Sequence, residues 1–356
     1  MIRRKFGNTN LEVSVVSLGC WIFGVDWWGH RTQEDCDRLC SFAREMGVSF
    51  FDNGDAYGNG RAEELFGNWL ASQDRSRVEV GGKFGYDWYS DPGEEGSHRE
   101  RKQDFSPQFM RSALEKSLKR LKTDYIDLYL AHNIKLPQFR DDLFAELEKV
   151  KGEGKIKAWG VSLGPAIGWR EEGFKAMGEH DAKCVQTVYN LLEQHPGREF
   201  CEMARATKAG ILARVQDNSG VLKDVIRADT QIAENDHRKF RDANWKTYGP
   251  QKVEKLRPIA RRHGMTIHQL ACKWLVQANP TLTAITATLL DEKEIREVCE
   301  SVHKPDLSND ELRQLNDWYQ NDFGLPPEAH PCDLKSSTHP SGRVQSGYVP
   351  PPVLIA

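Results

Sequence analysis

Long apolar runs, blocks of like charge and paired cysteine motifs are all missing from this 356-residue sequence. The richest apolar stretch, Val15 to Val25, is broken by Ser, Gly and Cys and is too short to cross a bilayer. Met1-Ile2-Arg3-Arg4-Lys5 is basic, but Gly7-Asn8-Thr9-Asn10 follows where a secretory signal would need an apolar core. Forty-nine Lys and Arg balance 52 Asp and Glu, for a net charge of −3, with no basic stripe. That pattern argues against nucleic acid or an anionic membrane as partner. The eight cysteines (Cys20, Cys36, Cys40, Cys184, Cys201, Cys272, Cys299, Cys332) are scattered, form no C-x-x-C pair and match no zinc spacing. A chain this long has no need of disulfide staples, so they read as buried thiols, with no metal expected. The expectation is a soluble, cytoplasmic chain. A G-x-G-x-x-G turn is also absent, which argues against an open, doubly wound nucleotide-binding sheet.

What the sequence does have is alternation. Strand-like runs occur at 15–18, 49–52, 78–81, 126–131, 156–161, 184–189, 211–215 and 282–286, short and rich in Val, Ile and aromatics. Strands buried on both faces have this composition. Amphipathic helical patterns lie between them. One opens at Pro107 and carries Met110, Leu114, Leu118 and Leu121 on one face; another runs through Leu147 and Val150 into Gly152 and Gly154. Eight such β-then-α units predict a closed (β/α)8 TIM barrel over residues 1–322. Residues 323–356 read as a C-terminal extension, either a strap or a disordered tail, ending in Pro350-Pro351-Pro352. Two long polar stretches follow the third and seventh strands, 86–105 and 219–249. In a barrel such loops cover the active-site face.

Ionisable groups cluster at the predicted strand ends. Asp52 closes the second strand and Tyr57 lies five residues on; Lys83 closes the third and His132 the fourth. A barrel brings these to one mouth. A lysine ammonium beside a phenol favours the phenolate, so the Tyr57 pKa is expected to fall from ~10 toward the working pH. Asp52 would hold the ammonium, and His132 would orient a substrate oxygen or relay a proton. Tyr57 is then a general acid for a carbonyl being reduced, or a general base for an alcohol being oxidised. Singly, each residue also fits a salt-bridged or core position; the combination points to chemistry.

With those marks, the chain resembles the aldo-keto reductase superfamily up to about Asn321. The resemblance rests on Asp52-x4-Tyr57-Gly58, Gly60-Arg61-x-Glu63, Lys83, His132, Gly154-Lys155-Ile156, Trp159-Gly160-Val161-Ser162 and Gln186-x3-Asn190. It implies a (β/α)8 enzyme that moves hydride between NADP(H) or NAD(H) and a small carbonyl or alcohol, with Asp52, Tyr57, Lys83 and His132 as catalytic tetrad. It further implies that Ser162 and Gln186 bind the nicotinamide carboxamide, that Arg214 stacks on the nicotinamide, and that the Ser219 and Gly220 amides cradle the pyrophosphate. Two departures stand out. Leu163 replaces the usual Asn after the serine. After the eighth strand, where a 2′-phosphate clamp is usual, the chain has Thr286-Ala287-Thr288-Leu289-Leu290-Asp291-Glu292-Lys293. Thr288 and Lys293 are left as that stretch's candidate nucleotide contacts, which makes the NADPH preference an open point.

Aromatic residues crowd two loops: Trp21, Trp27 and Trp28 with His30 after the first strand, and Trp88 with Tyr89 after the third. Of these, Trp21, Trp28, His30 and Trp88 are the candidate substrate contacts, and aromatic faces among polar groups suit a sugar-derived ligand. Packing of the barrel rim is the competing reading. Three functions are compatible with the residues: reduction of an aldehyde or ketone, an NAD-dependent alcohol or lactol dehydrogenase using the same tetrad, and a cofactor-sensing barrel without turnover.

Overall fold

The computed structural model describes residues 1–93, 101–164, 169–234 and 236–331. Most of the expected tail, residues 332–356, lies outside the described residues, as do 165–168 in the loop after the fifth barrel strand. A short antiparallel hairpin, β1 (Arg3–Lys5) with β2 (Glu12–Ser14), precedes the barrel. The barrel strands are β3 (Val16–Gly19), β4 (Phe50–Asp52), β5 (Glu79–Phe84) and β6 (Ile126–His132), then β7 (Ile156–Ser162), β8 (Cys184–Val188), β9 (Gly210–Arg214) and β10 (Leu282–Ala287). These eight are parallel and close when β10 pairs with β3. Helices surround them, and the larger apolar core fills the space between sheet and helices.

Local chemistry sets the element boundaries. The helix Pro107–Leu121 begins where Ser106 Oγ accepts the Phe109 N–H and Pro107 presets the first turn. It buries Met110, Leu114, Leu118 and Leu121 and ends at Lys122 in a left-handed conformation. Strand β5 runs to Phe84, beyond the Gly81-Gly82 pair at which the sequence pattern stops. Those glycines pair with Leu128 and Tyr129 in the ladder, so Lys83 sits inside the strand rather than beyond it. His132 and Ser162 likewise belong to their strands and pair with each other. The polar stretch expected as a loop after β9 gives way at Ala243 to a helix that runs to Arg262 through Pro250 and Pro258.

Alternation along each strand makes two kinds of interior. Phe50, Leu128, Leu130, Ala158, Cys184, Leu212 and Ala284 form a buried apolar cluster inside the barrel. Two residues further along, the same inward face carries Asp52 above Phe50, His132 above Leu130, Gln186 above Cys184, Arg214 above Leu212 and Thr286 above Ala284. The hairpin seals the lower end: Phe6, Leu11 and Val13 join the apolar cluster, and Phe6 meets Phe50 edge-on at 5.9 Å. Arg4 fixes this plug by donating to the carbonyls of Val276, Asn279 and Leu282. Its guanidinium thereby satisfies carbonyls at the end of the helix Ile267–Ala278.

The plug generates a stability prediction. Phe6→Ala removes a fully buried ring and is expected to cost about 3–5 kcal/mol. Urea denaturation measures it; a loss below about 1 kcal/mol would show that the lower barrel is closed without Phe6.

Candidate active site

The upper interior layer is a connected polar network. Lys83 Nζ donates to both oxygens of Asp52 at 2.8 Å and to the Asn53 carbonyl at 2.7 Å. Both side chains are almost completely buried, at 0 % and 4 % exposure. Gln186 Nε2 donates to Asp52 Oδ2 at 3.2 Å, and Ser162 Oγ donates to Gln186 Oε1 at 2.8 Å. Serine, glutamine, aspartate and lysine thus form one chain across β7, β8, β4 and β5. Arg214 is braced from behind by the carbonyls of Leu163 and Gly164.

Tyr57 hangs over this layer. Its ring centre is 4.9 Å from Lys83 Nζ, and His132 stands edge-on to it at 5.8 Å. The turn that carries it is fixed by contact between two backbones. A Cβ on Gly24 would lie 2.5 Å from the Tyr57 carbonyl carbon, and one on Gly58, at φ +61°, would lie 2.2 Å from the Gly24 oxygen. Glycine at both positions lets the short helix Trp21–Gly24 press directly on the turn.

Protonation follows from burial. Tyr57 is pushed above its ordinary pKa: burial outweighs the Lys83 charge that favours the phenolate. The expected fall toward the working pH is therefore corrected: burial is the larger effect, and the Asp52 that holds Lys83 also offsets part of the lysine's pull on the phenol. Lys83 is raised although burial opposes its charge, since the Asp52 carboxylate beside it stabilises the ammonium. His132 is held well below the usual histidine value by burial, then by the Lys83 and Arg214 charges, so its ring is neutral. At neutral pH the site holds a protonated phenol, an ammonium and a neutral imidazole.

The family model for the aldo/keto reductase family matches residues 15–320. This chain belongs to that family. It is thereby an NAD(P)H-dependent oxidoreductase of carbonyls. A probable aldo-keto reductase of Glycine max is 27 % identical, covering 94 % of this chain and 97 % of the relative. Among solved structures, the glycerol dehydrogenase AKR11B4 from Gluconobacter oxydans superposes with a TM-score of 0.77 at 22 % identity, over 98 % of this chain and 99 % of that one. The holo form of the aldo-keto reductase AKR11C1 from Bacillus halodurans gives a TM-score of 0.69 at 21 % identity, over 89 % and 96 %. These two likenesses bear on the fold.

In this aldo/keto reductase the expected site residues divide. Asp52, Tyr57, Lys83, His132, Ser162, Gln186 and Arg214 converge at the mouth. Trp21 joins them at 6.2 Å from Tyr57, with Trp28 at 5.6 Å from Trp21. His30 is exposed and engaged with Asp26 and Arg61. Trp88 turns to the barrel flank, stacked on Tyr89 at 4.1 Å with the Arg120 guanidinium 5.3 Å from its ring. At the expected amide cradle, the Ser219 N–H donates to Asp217 Oδ1 and the Gly220 N–H to the Asp217 carbonyl, so Asp217 caps that turn. Thr288 offers its carbonyl to Lys223, and Lys293 is exposed.

Several neighbours escaped the sequence reading. Tyr86 stands edge-on to His132 at 5.1 Å, and its hydroxyl accepts from Asn133 Nδ2 at 2.8 Å. Arg241 donates to Ser219 Oγ at 2.9 Å and pairs with buried Glu193. Lys223 joins Glu294 at 2.8 Å. Asn190-x2-Glu193, with an Asn–Glu hydrogen bond of 2.7 Å, carried a usable cue of local pairing; the long-range contacts had none.

The electrostatics generate a test. Because Lys83 lowers the Tyr57 pKa against burial, Lys83→Met is expected to move the alkaline limb of the carbonyl-reduction pH profile upward. The sign follows from loss of a positive charge that favours the phenolate. An unchanged limb with retained turnover would make Lys83 a structural residue.

Proposed function

We propose that this enzyme reduces an aldehyde or ketone on a small, hydroxylated, sugar-derived molecule, with Tyr57 as proton donor. The observation that carries the reading is the buried Asp52–Lys83 pair beneath a Tyr57 phenol that burial keeps protonated. A protonated phenol is ready to serve reduction near neutral pH, whereas alcohol oxidation would need it ionised. This favours the reductive direction over the dehydrogenase alternative. A non-catalytic sensor would have no use for an acid held in this state.

The residues present fit a bound nicotinamide and substrate. Arg214 Nε, Thr286 Oγ1 and His132 Nδ1 are buried polar atoms without a hydrogen-bond partner in the upper interior layer, and such atoms call for a polar occupant. Ser162, Gln186 and Arg214 would hold the nicotinamide end, and Thr288 and Lys293 the far end of the nucleotide. The reduced nicotinamide supplies the hydride. Tyr57 gives its proton to the carbonyl oxygen as negative charge develops there. His132 orients that oxygen through a neutral ring. Lys83, held by Asp52 and the Asn53 carbonyl, supplies the positive charge that makes the phenol a better acid.

Tyr57→Phe tests this reading. It is expected to reduce turnover ~10²–10⁴-fold and leave cofactor affinity nearly unchanged. Turnover near the wild-type level would sink the assignment.

Cofactor choice follows from the stretch after β10. Lys223 is occupied by Glu294, Arg38 by Glu292, and Asp291 caps the helix Glu292–Ser301. Within residues 286–293, Lys293 is the one cation. The NADPH-over-NADH preference is expected to stay below about a hundredfold, or ~2.7 kcal/mol. Lys293→Ala is expected to weaken NADPH binding alone, read by quenching of protein fluorescence. A preference of several thousandfold would place the clamp elsewhere in the chain.

A further inference from the structure

The cover that follows β9 delivers one more ring to the mouth. His237 stacks on Trp27 at 4.5 Å and 18°, and meets Trp21 and Trp28 edge-on at 5.2 and 5.8 Å. The three tryptophans come from the segment after β3, so the cluster joins loops that are far apart in sequence. Trp21 also touches Tyr57, so a single indole separates His237 from the phenol. The turn is anchored beside it: Asp236 accepts the Arg238 N–H at 2.8 Å and grips the Arg238 guanidinium at 2.9 Å.

We propose that His237 is a specificity-determining residue, accepting a hydrogen bond from a substrate hydroxyl near the carbonyl that Tyr57 protonates. The enzyme then selects hydroxyaldehydes and hydroxyketones over carbonyls without a hydroxyl. The inference rests on the carbonyl-reducing reading above.

Three features support the role. Indoles donate hydrogen bonds and do not accept them, so among these four rings the imidazole is the sole acceptor. Asp236 Oδ1 lies 3.4 Å from His237 Nδ1 without a hydrogen bond between them, and its negative charge favours the ring proton on that nitrogen, which leaves Nε2 with its lone pair. Burial holds the ring down to about 4, so it is neutral at working pH and suited to an uncharged hydroxyl. About a third of the side chain, 32 %, remains open, while indole faces cover much of the rest. An acceptor so placed discriminates strongly, because a ligand lacking the hydroxyl leaves it unpaired in apolar surroundings.

The test compares glyceraldehyde with propanal, two three-carbon aldehydes that differ in hydroxyls, in wild type, His237→Phe and His237→Gln. Phenylalanine keeps the stack and loses the acceptor; glutamine keeps an acceptor and loses the ring. His237→Phe is expected to lower kcat/KM for glyceraldehyde ~10–100-fold, mainly through KM, and to change propanal less than about threefold. His237→Gln is expected to retain most of the glyceraldehyde preference. Fluorescence quenching by NADPH checks that the variants are folded, and His237→Leu serves in place of a phenylalanine variant that misfolds. Equal loss on both aldehydes, no loss on either, or a glutamine variant as impaired as phenylalanine overturns the proposal. A wild-type protein that turns over neither aldehyde overturns the carbonyl-reducing reading itself, and this inference with it.

Discussion

A positive charge that water cannot reach governs the upper half of this barrel. Lys83 is fully buried, and its ammonium is tolerable because two carboxylate oxygens and a carbonyl accept its three N–H bonds. Removing one partner from such a pair costs about 3–5 kcal/mol, because the other charge is left stranded. The network around it follows from that constraint. Asp52 is held against the ammonium, Gln186 steadies it, and Ser162 fixes the Gln186 amide. Tyr57 and His132 then sit in a field set by Lys83, Asp52 and Arg214 as well as by burial. Burial acts on the two in a common way, favouring the uncharged phenol and the uncharged imidazole.

Much of the barrel was legible in the sequence because parallel strands packed on both faces are continuous apolar runs, and all eight runs coincide with barrel strands to within a few residues. The tetrad was legible for a related reason: a charged residue at the end of an apolar run has few places to go except the mouth. The errors have physical causes. Gly81-Gly82 looks like a strand end, but here glycine makes room for Phe50 and Ile126. Gly249-Pro250 looks like a loop, yet the helix from Ala243 passes through it. The hairpin was missed because three-residue strands with exposed faces carry almost no pattern.

The loops were the least legible part. Trp21, Trp27, Trp28 and Trp88 look alike in sequence, yet Trp27 and Trp28 pack on Trp21, which meets Tyr57, while Trp88 packs on the flank with Tyr89 and Arg120. Which loop reaches which is decided by tertiary contact, such as the Gly24–Gly58 backbone approach, and no short-range spacing encodes it. His237 shows the same limit: its neighbours in sequence are charged, and its neighbours in space are aromatic.

The hairpin plug has a consequence for how the chain acquires its fold. Phe6 precedes every barrel strand in the sequence, yet the interior it seals is lined by Phe50, Leu128, Cys184 and Ala284, from widely separated strands. Arg4 likewise needs carbonyls at Val276, Asn279 and Leu282. Contacts of such sequence separation form slowly. The hairpin's partners all lie downstream of it, so it can seat only once the eighth strand has closed the ring. Seating the hairpin makes it the closing stopper of assembly: the part that precedes every barrel strand locks after all of them.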